Sequence, residues 1–441
     1  MSGERTEARV LGFAEALECV LRHAARVSVP EVERVSVPES AGRVLAEEVR
    51  ADRDQPPFDR ATRDGFAVRA EDWTSGRRLR VVGAVRAGEV WLGKTLSSGE
   101  AMEIMTGAAV PAGANAVAMI EHAEQAEGEV WAAAGSRLAA GENIVRRGSE
   151  ARRGDVLLAA GTAMGAAEIA LAAACGRVEL EVYKRPVVAI AATGDELVEV
   201  EETPGDSQIR NSNSTALAAL VEASGGQARR LAIARDTRES LQERIGEGRG
   251  SELLLLSGGV SVGKYDLVEE VLAEFGAEFF FRGVRMQPGR PVVFGRMRSG
   301  GRKRTQTTEI LSFAQNDEQI GDDERNGASA WTYFFGLPGN PVSTQVTFQC
   351  FVEPMLRAIC GAGVAGPRFV QATLAEGVSG KAGLTRFLPA IMRHDLERPK
   401  VRLVESQGSG DLAANAQANC YAVLEDGRDS NSGDVISVLL R

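Results

Sequence analysis

The sequence predicts an α/β multidomain protein whose central domain is a doubly wound sheet with helices on both faces. Two observations lead to this fold class. From Pro186 onward, short apolar runs typical of strands alternate with helix-like segments, as expected for a mostly parallel sheet. Within that rhythm, residues 253–256 are consecutive leucines, which indicate a strand buried on both faces. Because ligands bind beyond the carboxyl ends of strands in such sheets, the turns after the strands are the candidate site.

Length and composition indicate an ordinary globular protein. The 441 residues suffice for about three or four domains, and 44% hydrophobic with 25% charged residues is typical of a folded chain. Acidic side chains outnumber basic ones by 61 to 51, which argues against a nucleic-acid surface and requires any anionic ligand to have a locally positive pocket. Five scattered cysteines and three histidines favour neither a zinc site nor a histidine-based triad.

We expect a cytoplasmic protein that contacts no membrane. The cysteines form no Cys-x-x-Cys pair, and an odd, dispersed set is typical of reduced thiols in the cytosol. The first residues lack the apolar segment of a signal peptide, and no apolar run approaches the length of a membrane span.

Changes in composition and residue pattern along the chain divide it into four predicted domains. Prolines and an Asp-Gly turn signal begin after residue 55, the βα rhythm begins after residue 185, and alternating short runs return after Pro367. A basic and then acidic stretch at 299–330 is interpreted as a surface insertion rather than a functional lid. The domains are an N-terminal helical and linker domain (1–50 with 153–184), an inserted mainly-β domain (51–152), the doubly wound domain (185–365) and a small C-terminal β domain (366–441).

Helices are predicted where apolar residues recur at three- and four-residue steps. In the N-terminal domain this pattern covers residues 8–27, 39–50 and 162–175. In the doubly wound domain, Asn211 and Thr237 are candidate N-caps, because their side-chain oxygens can accept hydrogen bonds from the first turn of a helix.

The inserted mainly-β domain offers a few residues that could face a ligand. Asp64 and Thr106 stand beside glycines, where a side chain can point out of a turn; ordinary turn formation is the alternative. Arg146 and Arg147 precede a glycine and could clamp an anion, or they could simply face solvent.

The stretch after the leucine strand has the composition of a phosphate-binding turn. Gly258 and Gly259 end the strand, and helical spacing resumes at Leu267 with Asp266 as a candidate N-cap. A glycine-rich turn before a helix aims backbone N–H groups at one point and suits a phosphate. The alternative is an ordinary βα turn whose glycines serve backbone geometry alone. Lys264, an anion partner beside Asp266, favours a site.

Three carboxylates in the turns of this domain suggest a hard metal ion. Glu196, Asp236 and Asp266 offer oxygen ligands and no histidine accompanies them, which favours Mg²⁺. Each helix-terminus contact with an anion contributes only about 0.3–2 kcal/mol, so several loops and a metal together are needed to hold a charged ligand. These features predict binding of a phosphorylated compound and its metal-assisted cleavage or transfer. Alternatively, Asp236 and Asp266 could serve as helix caps.

In this order, the motifs of the chain resemble those of the molybdopterin molybdenumtransferase family, which includes the E-domain of gephyrin-like proteins. The resemblance covers nearly the whole chain outside the insertion. The motifs are Pro-Pro-Phe-Asp (56–59), Asp-Gly-Phe-Ala (64–67), Thr-Gly-Ala (106–108), Pro-Ala-Gly-Ala (111–114), Glu-Asn-Ile (142–144), Thr-Gly-Asp-Glu-Leu (193–197), Gly-Gly-Val-Ser-Val-Gly (258–263), Leu-Pro-Gly-Asn-Pro-Val-Ser (337–343) and Ser-Gln-Gly-Ser-Gly (406–410).

The resemblance implies an enzyme that inserts molybdate into the dithiolene of adenylylated molybdopterin, using Mg²⁺ and releasing AMP. It also implies a homodimer, formed through the N-terminal helical domain. In that dimer the doubly wound domain is a molybdopterin-binding domain, and the β domain of the partner subunit closes the cleft. Contacts with an adenylyltransferase and with molybdoenzymes are the further partners that the resemblance suggests.

The resemblance also assigns roles to residues by their position. The implied catalytic residues are Glu196, Asp236, Asp266, Asp64 and Thr106, and the first three of these are the implied metal ligands. The residues implied in binding the pterin phosphate and molybdate are Thr193, Gly194, Asp195, Ser257, Gly258, Gly259, Ser261, Gly263, Lys264, Arg290, Pro338, Asn340, Pro341 and Ser343.

Three positions depart from the family pattern. Gln287 stands where many relatives carry lysine, Glu150 replaces a usual aspartate, and Leu384 occupies a place where arginine is expected, with Arg386 two residues further on. These departures bear on the affinity for molybdate and leave tungstate as an alternative metal.

Two other functions fit the same sequence. One is the adenylyltransferase of the preceding step, which uses a similar α/β domain; that activity needs only the isolated α/β domain, whereas this chain carries three more. The other is a cofactor-binding scaffold that keeps the fold without turnover.

Overall fold

The computed structural model describes residues 10–259, 267–300, 331–393 and 398–441. The chain divides into two compact units. The first unit comprises Met1–Arg34, Gly42–Ala46 and Glu181–Arg441, and the second comprises Val35–Ala41 and Glu47–Leu180. No helix within the described ranges combines the length and the apolar character needed to cross a membrane. Apart from residues 299 and 300, the predicted insertion lies outside the described residues.

The α-helices largely follow the segments whose apolar spacing predicts them. They are α1 (Phe13–Ala24), α2 (Ala70–Thr74), α3 (Ala166–Ala174), α4 (Ser212–Ala223), α5 (Arg238–Gly248), α6 (Leu267–Glu274), α7 (Pro341–Thr347), α8 (Glu353–Ile359) and α9 (Leu412–Gln417). A π-helical segment, Phe348–Val352, joins α7 to α8. Short 3-10 turns occur at Pro38–Ser40 and Ile120–His122.

The strands are short and distributed over the whole described chain. They are β1 (Val32–Ser36), β2 (Val49–Arg50), β3 (Arg60–Ala61), β4 (Gly65–Val68), β5 (Leu79–Val85), β6 (Glu100–Ile104), β7 (Ala116–Met119), β8 (Ala123–Ala126), β9 (Glu129–Ala132), β10 (Ile144–Val145), β11 (Val156–Leu158), β12 (Glu179–Tyr183), β13 (Val187–Ala192), β14 (Leu197–Val198), β15 (Ile209–Arg210), β16 (Gln227–Arg230), β17 (Leu253–Ser257), β18 (Glu278–Arg282), β19 (Met286–Gln287), β20 (Val293–Arg298), β21 (Trp331–Leu337), β22 (Phe369–Leu374), β23 (Thr385–Arg393), β24 (Lys400–Leu403), β25 (Cys420–Leu424) and β26 (Val435–Leu440).

The central sheet of the first unit has six strands in the order β16-β13-β17-β21-β20-β18. The first four are parallel, β20 is antiparallel to β21, and β18 is antiparallel to β20. Strand β18 therefore runs in the same direction as the parallel strands. Consequently the connection from β18 to β20 emerges at the same edge as the turns that follow β13, β16, β17 and β21. The described residues of the motifs at 193–197, 258–259 and 337–343 meet at this edge.

The four leucines of β17 show why the sheet is covered on both faces. Side chains alternate between the two faces of a strand, so Leu253 and Leu255 point one way and Leu254 and Leu256 the other. The first pair packs in a core with residues of α1, α4, α7 and α8, and the second pair packs in a separate core with residues of α5 and α6. All four side chains are at most 1% exposed. The predicted doubly wound fold is confirmed.

A closed barrel follows the doubly wound part of the chain. Strands β23, β24, β22, β26 and β25 pair in this order, and β25 pairs back with β23, so the ring has no free edge. The barrel packs against the rest of the first unit through Phe13 of α1. The ring of Phe13 lies 5.0 Å from that of Phe387 in β23 and 5.7 Å from that of Phe351 in the π-helical segment. This contact brings loops of the barrel to the edge of the central sheet.

The second unit is built mainly from strands. Its six-stranded sheet has the order β7-β4-β6-β5-β9-β8, and the short pairs β3–β10 and β2–β11 lie outside that sheet. Phe66, Trp73 and Leu79 form one buried cluster, while Met102 and Ile104 belong to another. The burial of both clusters explains why this β-rich part of the chain forms a compact body of its own.

The prediction of a helix over residues 39–50 is wrong. The chain makes the 3-10 turn Pro38–Ser40 and then places Gly42 at a φ of +70°. A left-handed residue ends a helical turn, so the helix cannot continue through it. Beyond it, Leu45 forms an isolated antiparallel bridge with Val182 instead.

Candidate active site

A cavity of about 1240 Å³ opens at the edge of the central sheet where the parallel strands end. Its wall is formed by turns of the doubly wound part and by loops of the barrel. The segments that contribute lining residues are 193–197, 209–213, 257–259, 286–291, 338–343, 386–389, 403–404, 406–410 and Leu412, together with Asp236. The site predicted beyond the strand ends therefore exists as a cavity in the described structure.

The loops after β13 and β16 are linked through Thr193. Its backbone N–H donates to the carbonyl oxygen of Ser257 (2.9 Å), and its hydroxyl donates to Oδ1 of Asp236 (3.2 Å). The backbone N–H of Asp236 in turn donates to Oδ1 of Asp195 (3.2 Å). Thr193 is 4% exposed, so its hydroxyl is held in a fixed place. This network orients the carboxylate of Asp236 at the cavity wall.

The glycine turn after β17 requires glycine at Gly258. Its φ is +93°, and a Cβ atom there would lie 2.5 Å from the carbonyl oxygen of Thr193. The backbone N–H of Gly258 donates to the carbonyl oxygen of Leu337 (3.1 Å), which joins the end of β17 to the end of β21. The close approach of three strand ends explains why a side chain is excluded at this point.

Asn213 connects the start of α4 to both neighbouring turns. Its Nδ2 donates to Oγ of Ser257 (2.9 Å) and to the carbonyl oxygen of Gly339 (2.7 Å). From sequence, the 211–214 segment reads only as a helix cap. The structure confirms the cap, since Oδ1 of Asn211 accepts from the N–H of Ser214 (3.1 Å), and it also places Asn211 and Asn213 in the cavity wall.

The turn after β21 joins the barrel to the cavity. Nδ2 of Asn340 donates to Oγ of Ser409 (2.8 Å), and the N–H of Val342 donates to the carbonyl oxygen of Ser409 (3.0 Å). Pro338, Pro341 and the nearly buried Ser343 line the cavity beside this contact. The 406–410 loop of the barrel is thus held against the doubly wound part by direct hydrogen bonds.

The charges at the cavity sum to a small positive value. The lining residues of the described chain include three arginines, Arg210, Arg290 and Arg386, and two carboxylates, Glu196 and Asp236. The balance is +1, whereas the whole chain carries −10. This agrees with the expectation that an acidic protein needs a locally positive pocket for an anion.

The cavity arginines differ in how far they are already engaged. Nε of Arg210 donates to two backbone carbonyl oxygens, and Nη1 of Arg386 donates to that of Ser379 (2.9 Å). Nε of Arg386 is buried and has no partner among the residues that the structure describes. The exposed guanidinium of Arg290 makes no hydrogen bond or ion pair with any residue that the structure describes. Arg290 is therefore the cavity cation that is most available to a ligand.

Two of the three predicted metal ligands line this cavity. Glu196 and Asp236 are both exposed and make no ion pair within the described ranges. Their oxygens are the donor type that Mg²⁺ prefers, together with phosphate oxygens and water, so the pair fits this ion. No group of three or more His, Cys, Asp or Glu side chains among the described residues is placed to hold a metal. Asp266, like Ser261, Gly263 and Lys264, lies outside those residues.

Asp64 and Thr106 form a hydrogen-bonded pair in the second unit. The backbone N–H of Thr106 donates to Oδ1 of Asp64 (2.6 Å), although 42 residues separate them in sequence. This bond, with a second from the Thr106 hydroxyl, lowers the pKa of the Asp64 carboxyl below its usual value. Both residues are exposed. The chain therefore presents an ionised carboxylate beside Thr106 at the surface of this unit.

The arginine pair of the second unit is occupied by its own carboxylates. Nη1 of Arg146 donates to Oδ2 of Asp59 (2.6 Å), and Nε of Arg147 donates to Oδ2 of Asp54 (2.9 Å). The backbone N–H of Arg147 also donates to Asp59 (2.9 Å). These contacts favour a structural role in the turn over the anion clamp that the sequence allows.

Sequence reasoning missed several cavity residues. Asn213 reads as part of a helix cap, and nothing in the pattern around Phe387 or Pro389 distinguishes them from ordinary strand residues. Leu384 is absent from the described lining, whereas Arg386 is part of it. The strand before Asn213 is β15, which belongs to a separate two-stranded sheet, so the rule of strand ends in the central sheet could not have found this residue.

Fold and site together define a multidomain α/β protein with a cavity of net positive charge between a doubly wound domain and a barrel. Family models match nearly the whole chain in this arrangement. Residues 11–176 match the MoeA N-terminal region (domain I and II), 189–358 match a probable molybdopterin binding domain, and 371–440 match the MoeA C-terminal region (domain IV).

Named relatives agree with these matches. The chain is 32% identical over 422 residues to a molybdopterin molybdenumtransferase of Staphylococcus aureus, covering 94% of this chain and 92% of that protein. It is 30% identical over 439 residues to that of Staphylococcus epidermidis, covering 98% and 95%. The crystal structure of a molybdopterin biosynthesis MoeA protein from Pyrococcus horikoshii OT3 superposes with a TM-score of 0.73 at 26% identity, covering 98% and 100%. The chain belongs to the molybdopterin molybdenumtransferase family.

Proposed function

We propose that this protein is a molybdenum insertase, which transfers molybdenum from molybdate to the dithiolene of adenylylated molybdopterin. In the same reaction the pyrophosphate link of the substrate is cleaved by water and AMP is released. Membership of the molybdopterin molybdenumtransferase family supports this reaction class. The use of Mg²⁺ and the release of AMP are the finer parts of the proposal.

The cavity is the observation that carries the proposal. Sites for drug-sized ligands commonly measure about 300–1,000 Å³, and this cavity is larger at about 1240 Å³. A compound made of a pterin, a pyrophosphate and an adenosine needs such a volume. The guanidinium of Arg290, which no described residue engages, and the N–H of Gly259 are available for its anionic groups.

Different residues of the cavity would bind the metal ion, the phosphate and the molybdate. Glu196 and Asp236 would hold Mg²⁺, with Asp236 oriented by the hydroxyl of Thr193. When bound, the ion would neutralise charge on the pyrophosphate oxygens. The N–H of Gly259 in the glycine turn after β17 would donate to a phosphate, and Arg290 would attract the molybdate oxyanion.

Gln287 supplies no charge to the oxyanion, but the cavity has a cation next to it. In the parallel pair β19–β23, Gln287 lies opposite Arg386, and both line the cavity. Arg386 would thereby supply the positive charge that the lysine of many relatives provides at the position of Gln287. This placement supports retention of oxyanion binding despite the departure at Gln287.

The proposal extends to residues and partners outside the cavity. Asp64 and Thr106 would act as catalytic residues contributed by a second subunit of a homodimer. Their mutual hydrogen bond, which keeps the carboxylate ionised, supports a role in handling a proton or a cation. We place the protein in the cytoplasm, where an adenylyltransferase would deliver the substrate and molybdoenzymes would receive the product.

Release of AMP tests the proposed function directly. The purified protein is incubated with adenylylated molybdopterin, Mg²⁺ and molybdate, and AMP is measured by chromatography. We expect AMP to appear with molybdate and to appear far more slowly without it. Absence of AMP, with the Staphylococcus aureus relative active in parallel, would reject the proposal. Consumption of ATP without molybdate would instead identify an adenylyltransferase.

A further inference from the structure

The start of α4 forms part of the cavity wall, and the roles proposed above do not use it. This helix is 12 residues long, and Asn211, Ser212 and Asn213 at its N-terminus all line the cavity. The first N–H groups of a helix have no partner within the helix. The N–H groups of Ser212 and Asn213 donate to no group in the described part of the chain. The helix dipole adds positive potential at the same point.

Asn211 provides a second, independent indication of a ligand. The residue is 2% exposed, and its Oδ1 accepts the capping hydrogen bond from the N–H of Ser214. This bond fixes the orientation of the amide, so Nδ2 must point away from the helix. Nδ2 is buried and has no hydrogen-bond partner among the described residues. A buried donor without an acceptor is costly, and the oxygen of an anion would supply the missing acceptor.

The position of α4 relates these donors to the glycine turn. Asn213 donates to Ser257, the residue directly before Gly258, and to the carbonyl oxygen of Gly339. The free N–H groups at the helix start therefore lie close to the glycine turn, where the N–H of Gly258 is already bonded to Leu337 and that of Gly259 donates to no group in the described part of the chain. A pyrophosphate consists of two phosphoryl groups that share one oxygen, so its parts would be neighbours in the same way.

We propose that Asn211 and the N-terminus of α4 bind one phosphoryl group of a pyrophosphate-linked substrate, while the N–H of Gly259 in the glycine turn binds the other. The Nδ2 of Asn211 and the N–H groups of Ser212 and Asn213 are the donors. The guanidinium of Arg210, which lines the cavity next to Asn211, adds positive charge. The proposal rests on the proposed function for the identity of the compound, but the phosphate chemistry follows from the donors themselves.

Two substitutions test the role of Nδ2 and preserve the helix cap. Serine and aspartate cap helices about as well as asparagine, so Asn211→Ser and Asn211→Asp should both fold. Asn211→Ser removes the donor, and we expect about tenfold weaker binding of the phosphorylated ligand. Asn211→Asp replaces the donor with a carboxylate, and we expect binding to weaken by about 100-fold or more. Circular dichroism and thermal unfolding report whether each variant keeps its fold.

Isothermal titration calorimetry with AMP and, separately, with molybdopterin measures these affinities in the full-length protein. The matched control is Asn431→Asp, the same change at an exposed position of the barrel that does not line the cavity. We expect the control to bind both ligands like the wild type. A loss confined to AMP assigns the helix start to the adenylyl phosphate, and a loss confined to molybdopterin assigns it to the pterin phosphate.

The same measurements can overturn the subsite. It is rejected if folded Asn211→Asp binds both ligands as tightly as the wild type, if Asn431→Asp weakens binding equally, or if the wild type binds neither ligand. The AMP-release assay of the wild type separates this result from the proposed function. If binding depends on Asn211 but the wild type releases no AMP, the subsite stands and the insertase function is rejected. If the wild type releases AMP but binding does not depend on Asn211, the function stands and the subsite is rejected.

Discussion

Charged turns in the two units of this protein are built in opposite ways. In the second unit, Arg146 is bonded to Asp59 and Arg147 to Asp54, so each charge has an opposite charge beside it. In the cavity of the first unit, the guanidinium of Arg290 makes no such contact within the described chain. Exposed ion pairs contribute little to folding, but they do occupy the charges that a ligand would otherwise bind.

The difference shows what distinguishes a binding site from a stabilised turn. Both regions combine arginine, carboxylate and glycine in a few residues, and their sequences alone predict either role. In the structure, the turn of the second unit satisfies its charges internally, while the cavity leaves Glu196 and Asp236 without an ion pair among the described residues. Exposed charges that stay unpaired at a cavity cost the fold little and remain available to a ligand, which is what a binding site requires.

The largest expected effect comes from a cavity carboxylate. Glu196→Gln keeps the size of the side chain and removes its charge, so it should abolish metal binding at the pyrophosphate. We expect the rate of AMP release to fall by about 100-fold or more, while the thermal unfolding temperature stays close to that of the wild type. The measurement is single-turnover AMP release at saturating Mg²⁺.

Glu201→Gln is the matched control for this change. Glu201 is exposed and lies outside the cavity, and its side chain makes no hydrogen bond or ion pair in the described structure. Its substitution should leave AMP release unaltered. If Glu196→Gln were as active as the control, the free carboxylate of the cavity would have no catalytic role.

A pair of arginine substitutions tests the comparison directly. Arg290→Gln removes a cation that no described residue engages, so we expect the KM for adenylylated molybdopterin or for molybdate to rise by about tenfold with unchanged stability. Arg146→Gln breaks a hydrogen bond to Asp59 and should leave both KM values as they are. Steady-state kinetics of AMP release give the two KM values of each variant, and thermal unfolding gives its stability.

One outcome of these two substitutions would contradict the comparison between the two turns. A KM that rises in Arg146→Gln as much as in Arg290→Gln would show that the ion-paired turn also binds substrate. In that case, whether an arginine is ion-paired would not indicate whether it binds substrate in this protein. Arg298→Gln, a change of the same kind outside the cavity lining, guards against a general effect of lost charge.

The smallest expected effect concerns pH and the second unit. Partial burial raises the pKa of the Asp59 carboxyl, but hydrogen bonds from the N–H of Arg147 and from Arg146 outweigh it and hold the pKa below its usual value. Asp59 therefore stabilises the fold above about pH 4, and this contribution is lost as the pH falls through the lowered pKa. Asp59→Asn should reduce the free energy of unfolding at pH 6 by less than about 1 kcal/mol, and the difference should shrink below pH 4.

Urea unfolding between pH 3 and pH 7 measures this difference. Asp206→Asn serves as the reference, because Asp206 is exposed and its side chain bonds to nothing in the described ranges. Its curve should follow the wild type at every pH. A difference between wild type and Asp59→Asn that grows on acidification would contradict the assigned direction of the pKa shift.

The sequence predicts much of the fold because strong local signals agree with it. The leucines of β17 and the caps at Asn211 and Thr237 all lie where the pattern indicates. The sequence does not predict that β20 is antiparallel, because an apolar run of that length carries no information on strand direction. The missing helix over residues 39–50 depends on one backbone conformation at Gly42, which a helical spacing of apolar residues cannot reveal.

The sequence predicts only the part of the cavity wall that is formed by the turns of the doubly wound domain. Turns after parallel strands mark the site, because the topology forces those ends together. The contribution of Arg386 and Ser409 depends on the way the barrel packs through Phe13, a tertiary contact without a local signal. Likewise, Arg147 is ion-paired with Asp54, which lies 93 residues away in the chain, whereas Arg290 has no ion pair within the described ranges, and no local pattern distinguishes these two cases.

Strand β19 has a consequence for anyone who wishes to divide this protein. It lies between β18 and β20 in the chain, yet its two residues pair with Thr385 and Arg386 of the barrel. A truncation after residue 365 would leave this strand without its hydrogen-bonding neighbour and would open the wall that carries Gln287 and Arg290. Fragments meant to study ligand recognition should therefore retain the C-terminal residues, however independent that part looks from its sequence.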